Sequence, residues 1–120
     1  MNTETKALVE QIYTILDSKK LNSIEVLDVG ELTTLAEVFI IAVGANTRQT
    51  KGAADELQFK MNQKGIQAYQ KEGQSTSTWI LMDYNEVMVH IFNKEEAEFY
   101  ELDKMWYDAK RIIMAKDQES

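Results

Sequence analysis

The chain has 120 residues, with 20 acidic and 13 basic side chains, a formal net charge of −7, one histidine and neither cysteine nor proline. This length suits one domain (residues 1–120, with a core over about 5–115) that buries roughly two thirds of its unfolded surface. The composition excludes disulfides, thiolate chemistry, sulfur-ligated metals and multi-histidine zinc sites, and no apolar run approaches the ~20 residues of a membrane span.

In chain order, Thr3 or Thr5 opens a first helix, because Leu8, Ile12, Ile15 and Leu16 recur at helical spacing. Residues 24–29 read as a strand, and residues 30–36 as a connection with room for a helical turn. Residues 38–43, Val-Phe-Ile-Ile-Ala-Val, are continuously apolar and are expected to form a central strand covered on both faces. It ends at Gly44. Asn46 or Thr47 then caps a helix reaching about Lys64, with Gly65 as its stop. A third strand is expected over residues 66–71, parallel to the one before the helix. Residues 73–78 are a polar loop. A closing helix is expected from Glu95 or Glu96, with Phe99, Leu102, Trp106, Ala109 and Ile113 along one stripe.

Between the polar loop and that helix lies the most telling segment. Trp79-Ile-Leu-Met-Asp-Tyr84 and Val87-Met-Val-His-Ile-Phe92 flank Asn85-Glu86, which reads as a β-hairpin with a two-residue loop. This register sets Tyr84 opposite Val87, Met82 opposite Val89 and Ile80 opposite Ile91, making one apolar core face. Alternation puts Trp79 opposite Phe92, Leu81 opposite His90 and Asp83 opposite Met88 on the other face. That second face is either a helix-covered second core or a docking site. The fold class implied is mixed α/β: a mixed sheet packed against helices.

Signals for catalysis are weak. His90 is the sole imidazole, and no serine sits in a nucleophile elbow. Gly44-Ala-Asn-Thr-Arg48 lies where a phosphate loop would, but it has one glycine and lacks the lysine–hydroxyl pair. A nucleotidyltransferase needs two strand carboxylates separated by one residue. Asp55-Glu56 are adjacent and fall within the expected helix. No cofactor or metal is therefore expected, nor is an enzyme. Scattered Lys and Arg residues give no basis for sequence-specific nucleic-acid binding. The acids Glu95, Glu96, Glu98, Glu101, Asp103 and Asp108 form either a solvated helix face or a surface matched to a basic partner. Residues 1–6 lack the basic start and apolar block of a secretion signal, so a cytoplasmic setting is expected.

The chain resembles the ribosomal silencing factor family, RsfS, also called Iojap, over about residues 8–109. The resemblance rests on ordered motifs. They are Leu27-Asp-Val29, Ala36-Glu-Val-Phe-Ile-Ile-Ala-Val-Gly44, Asn46-Thr-Arg-Gln49, Ala54-Asp-Glu56, Glu72-Gly73, the two hairpin strands, and Phe99-Tyr-Glu-Leu102 with Trp106. Where the family pattern often has Gly-Asp at the hairpin turn, this chain has Asn85-Glu86. The resemblance implies a nucleotidyltransferase-like fold without the catalytic carboxylates. It also implies a protein that binds the large ribosomal subunit through ribosomal protein L-fourteen and sterically blocks joining with the small subunit, lowering translation when nutrients are scarce. The alternative reading is a nucleotide-binding or nucleotidyltransferase-like enzyme on the same fold. The partner surface is expected to comprise Trp79, Leu81, Asp83, His90, Phe92 and Tyr100. A homodimer is left open.

Overall fold

The most apolar stretch of the chain forms the middle of a six-stranded sheet. In the computed structural model, which describes residues 1–73, 75–101, 104 and 106–114, this stretch is β2 (Val38–Gly44). The other elements are α1 (Thr3–Asp17), β1 (Ser23–Asp28), α2 (Thr47–Gln63), β3 (Gln70–Glu72), β4 (Trp79–Asp83), β5 (Val87–Asn93), α3 (Lys94–Phe99) and β6 (Lys110–Arg111). The strand order is β3-β4-β5-β2-β1-β6. β2 and β5 pair in parallel, from Val38↔Val87 to Gly44↔Asn93, and the other neighbours are antiparallel.

Period-two alternation divides the strand residues between two cores. Val38, Ile40 and Ala42 of β2, Ile80 and Met82 of β4, and Val87, Val89 and Ile91 of β5 meet α1 and α2 on the first face. There they pack with Val9, Ile12, Leu16, Ala53, Leu57 and Met61. Phe39, Ile41, Met88 and Phe92 face the other way, toward Leu27, Val29 and Ala36. Covering a side chain such as Ile40 completely is worth about 2 kcal/mol, and β2 supplies such residues to both layers.

Side-chain caps set the helix boundaries. Asn2, one residue before the expected threonines, caps α1 by accepting the Thr5 N–H at 2.7 Å. Asn46 caps α2 by accepting from Gln49 N at 2.9 Å. At the other end of α2, Ile66 N–H reaches Met61 O and Gly65 N–H reaches Asn62 O, with Gly65 at φ +80°. This is a Schellman stop.

Three expectations are corrected. The third strand is confined to Gln70–Glu72. Ile66 donates to the helix stop, and Ile66 and Ala68 pack against the helix-side core. The strands flanking α2 are not neighbours either, because β4 and β5 lie between β2 and β3. A short polar strand, Gln-Lys-Glu, belongs at a solvated edge, while the long apolar β5 takes the buried place beside β2. The closing helix is the third correction: α3 has only six residues and ends at Tyr100, after which Glu101 turns to φ +49°. The chain then returns through Trp106 and Ala109, which pack on the second core, to pair β6 with the β1 edge. Phe99 and Ile113 of the expected stripe are exposed, and Leu102 lies outside the described residues.

Gly73 has no substitute in this arrangement. Its φ is +82°, and a Cβ would stand 1.9 Å from the carbonyl oxygen of Trp79. Gly65 has a similar φ but open space around it. Gly65→Ala is expected to cost about 1 kcal/mol, the left-handed penalty alone, and Gly73→Ala about 3 kcal/mol or more, because the backbone must also move. Urea denaturation midpoints of the two variants check this. Equal shifts would show that the loop relaxes freely around a methyl group.

Candidate functional site: an aromatic groove on the second sheet face

The hairpin has the register that alternation requires: Trp79↔Phe92, Leu81↔His90 and Asp83↔Met88. Its turn closes through Tyr84 N–H to Val87 O at 2.9 Å. Asn85 adopts φ +74°, a conformation asparagine tolerates better than most side chains, so it stands in for the glycine of the family pattern. Tyr84 itself belongs to the first core, and burial pushes its phenol pKa up to about 12.

The described residues cover the second face only in part. Ala97 of α3 and Trp106 and Ala109 beyond it close one region. What remains is a cavity of about 240 Å³ lined by Leu81, Met88, His90, Trp79, Tyr100 and Leu35, among others. Within it the rings form a connected stack. Trp79 lies on Phe92 with centroids 4.9 Å apart and planes at 28°, and Tyr100 meets Trp79 edge-on at 5.4 Å. Phe39 touches His90 at 4.7 Å and Trp106 at 4.9 Å. Offset and edge-on contacts of this kind suit the ring quadrupoles and hold the rings in place.

Of the six expected partner-surface residues, five border the groove, at different depths. Trp79 and Tyr100 are its accessible lip, each 39% exposed. Leu81 and His90 are half-buried on the sheet face. Phe92 is only 3% exposed and reaches the surface through the indole stacked on it. Asp83 stands at the hairpin end, where its Oδ1 accepts from Asn85 N at 2.7 Å and so holds the turn. Sequence reasoning missed Leu35, 68% exposed on the β1–β2 connection, and the contribution of Phe39. The alternation of β2 could have assigned Phe39 to this face, but no local pattern marks Leu35.

His90 is the electrostatic centre of the groove. Its Nδ1 accepts the indole N–H of Trp79 at 3.2 Å, which assigns the ring proton to Nε2. That atom is buried without a hydrogen-bond partner among the described residues. Burial lowers the imidazole pKa from 6.5 to about 4, because a charged ring here would lose its hydration with no nearby compensation.

Acidic side chains flank this face. Asn93 caps α3 through Glu96 N–H at 2.9 Å, so Glu95 and Glu96 stand in the first turn and favour the helix dipole. Glu98 and Glu101 follow, exposed, while Asp103 lies outside the described residues. On the far side of the sheet, Arg48 has no acid partner among the described residues and does not order its loop through an ion pair. Gln49 does that work: its Oε1 accepts from Ala45 N at 2.7 Å and its Nε2 donates to Lys20 O at 3.2 Å. Asp55 and Glu56 lie on α2, where Asp55 is paired with Lys51 and Glu56 with Lys19 and Lys60.

The fold and groove define a class: a six-stranded α/β domain that presents an aromatic groove with acidic neighbours. The family model described as "Ribosomal silencing factor during starvation" matches residues 2–120, and this chain belongs to that family. A ribosomal silencing factor of Bacillus subtilis is 32% identical over 104 residues, covering 87% of this chain and 88% of the relative. One from Haemophilus influenzae is 33% identical over 100 residues, covering 83% and 98%. A crystal structure from Bacillus halodurans superposes with a TM-score of 0.80 at 27% identity, covering 91% of this chain and 99% of the other. Among the described residues, no helix is long and apolar enough to cross a membrane.

The His90 shift has a definite sign. Its folded pKa of about 4 lies below the ordinary 6.5, so between these values the unfolded chain binds more protons. Stability should therefore fall as pH drops through about 6.5 toward about 4, and the histidine contribution should level off below that. In His90→Gln, whose amide oxygen still accepts from Trp79, the loss of melting temperature from about pH 7 to about pH 5 should be smaller than in the native protein. Identical pH profiles would place His90 in contact with water.

Proposed function

We propose that this ribosomal silencing factor binds the large ribosomal subunit through ribosomal protein L-fourteen and blocks joining with the small subunit by occupying the space between them. Translation falls as a result when nutrients are scarce. The action is steric, in the cytoplasm, with no bond made or broken and no cofactor or metal required. The partner and its location come from the family resemblance. The observation that carries the reading on this chain is the groove itself: a preformed apolar slot with two accessible aromatic rings at its lip, flanked by carboxylates.

Physical chemistry supports each part of that match. Aromatic anchors on a rigid strand pair lose little entropy on docking and supply the area that interface hot spots need. The surrounding acids draw in a basic ribosomal protein while a bare phosphate backbone is repelled. A mouse relative, 25% identical over 101 residues, is named for mitochondrial assembly of the ribosomal large subunit, which is consistent with a large-subunit partner. The chain spans 44% of that relative. The enzyme alternative has less support, since Asp55 and Glu56 are engaged by lysines along α2 and do not face a common site from a strand.

Two outcomes are expected. Asp83→Asn keeps an acceptor for the Asn85 N–H, so the melting temperature should hold. Binding to large subunits should weaken by about 2 kcal/mol if the carboxylate meets a buried cation of the partner, and inhibition of subunit joining should fall in step. Sucrose-gradient sedimentation with and without the protein reads both. A folded variant that blocks joining at native concentrations would place Asp83 outside the interface. Separately, Glu98→Lys with Glu101→Lys should lower the association rate more than it raises the dissociation rate, and rising salt should slow the native protein in the same way. Stopped-flow association insensitive to both would leave these acids as a solvated face.

A further inference from the structure

β2 and β5 lie side by side in parallel, yet their continuations part. β2 leads to α2 on the first face, and β5 leads to α3 on the second. Such a divergence is a topological switch point, and α/β sheets hold ligands outside the strand ends there. Just outside the carboxyl end of β2 is an open cavity of about 430 Å³ lined by Lys19, Asn46, Arg48, Gln49 and Gly52.

Its charge runs against that of the chain. Across residues 17–20 and 46–56 there are four basic side chains and three acidic ones, in a protein of net charge −7. Asp55 is paired with Lys51 and Glu56 with Lys19 and Lys60. Lys20 and Arg48 are exposed, and neither side chain has an ion pair among the described residues. Two amides here are already engaged: Asn46 takes the Gln49 N–H, and Gln49 takes that of Ala45. Lys20 and Arg48 are the exposed cations left to meet an anion.

Gly52 is the independent observation. Glycine inside a helix costs about 1 kcal/mol relative to alanine, and here a Cβ would meet nothing within 4 Å. Among the described residues, no contact requires its side chain to be absent. Its bare backbone lines the cavity, where a missing side chain allows another molecule to come close.

We infer that Arg48, in the cavity lining with the bare backbone of Gly52, and the adjoining Lys20, whose carbonyl is held by Gln49, form a second contact with the ribosome, for the phosphodiester backbone of ribosomal RNA. This rests on the reading of the chain as a large-subunit binder. Arginine's planar fork matches phosphate oxygens. The cavity is shallow and its lining contains no aromatic side chain on which a base could stack, so the contact reads the backbone and not the sequence.

The test measures affinity for intact large subunits and for isolated L-fourteen across a salt series. Lys20→Ala with Arg48→Ala should weaken subunit binding roughly tenfold and lower the log–log salt slope by about 1 to 2, with affinity for isolated L-fourteen unchanged. Gly52→Leu should weaken subunit binding while raising the melting temperature, a combination that a purely structural glycine would not give. Native affinity and slope in the double variant would overturn the inference, as would equal weakening toward isolated L-fourteen, or magnesium-dependent ATP binding at this cavity. Native protein that ignores isolated L-fourteen while the double variant still loses subunit binding would overturn the proposed protein partner and leave the RNA contact standing.

Discussion

The structure depends on β2 being buried on both faces. A strand with Val38, Ile40 and Ala42 on one side and Phe39 and Ile41 on the other cannot lie at an edge or face water without losing several kcal/mol of apolar burial. It must have a layer above and a layer below. α1 and α2 supply most of the first. The second is supplied piecemeal by the β1–β2 connection, α3 and the segment through Trp106. Incomplete cover on that side is what leaves a groove.

The groove is preformed because it is built on the sheet. Trp79 is fixed by stacking on Phe92, by the edge of Tyr100 and by its hydrogen bond to His90. An indole held from three sides offers its remaining surface without first having to be ordered, and such ordering is a main cost of association. The neutral imidazole is part of the same device. Kept uncharged by burial, His90 accepts the indole N–H and stays compatible with an apolar slot, which a protonated ring would not.

The carboxylates near α3 and those along α2 differ in their surroundings for a physical reason. Asn93 closes β5 and caps α3, so the acids that stabilise the start of that helix stand on the same side as the aromatic lip. The α2 end, by contrast, has its carboxylates neutralised by lysines one turn apart or just beyond α1, which leaves Arg48 and Lys20 exposed without an ion pair among the described residues.

Much of this was legible in the residues alone. The hairpin register, the two-faced central strand, α1 and α2 with its glycine stop all follow from local periodicity and capping chemistry, which act over a few residues. The faces of Trp79, Leu81, His90 and Phe92 followed too, because alternation leaves no choice once the turn is placed. Strand order did not. Nothing local tells β2 to prefer β5 over β3, since that choice compares the burial of whole strands across the sheet. The closing helix failed for a related reason: a helical stripe from Phe99 to Ile113 is plausible in isolation, but the left-handed turn at Glu101 lets Trp106 cover Phe39 and the chain reach β1. Leu35 and the depth of Phe92 were decided the same way. Sequence determined which residues could share a face; only tertiary packing decided which of them remained uncovered, because cover comes from segments distant along the chain.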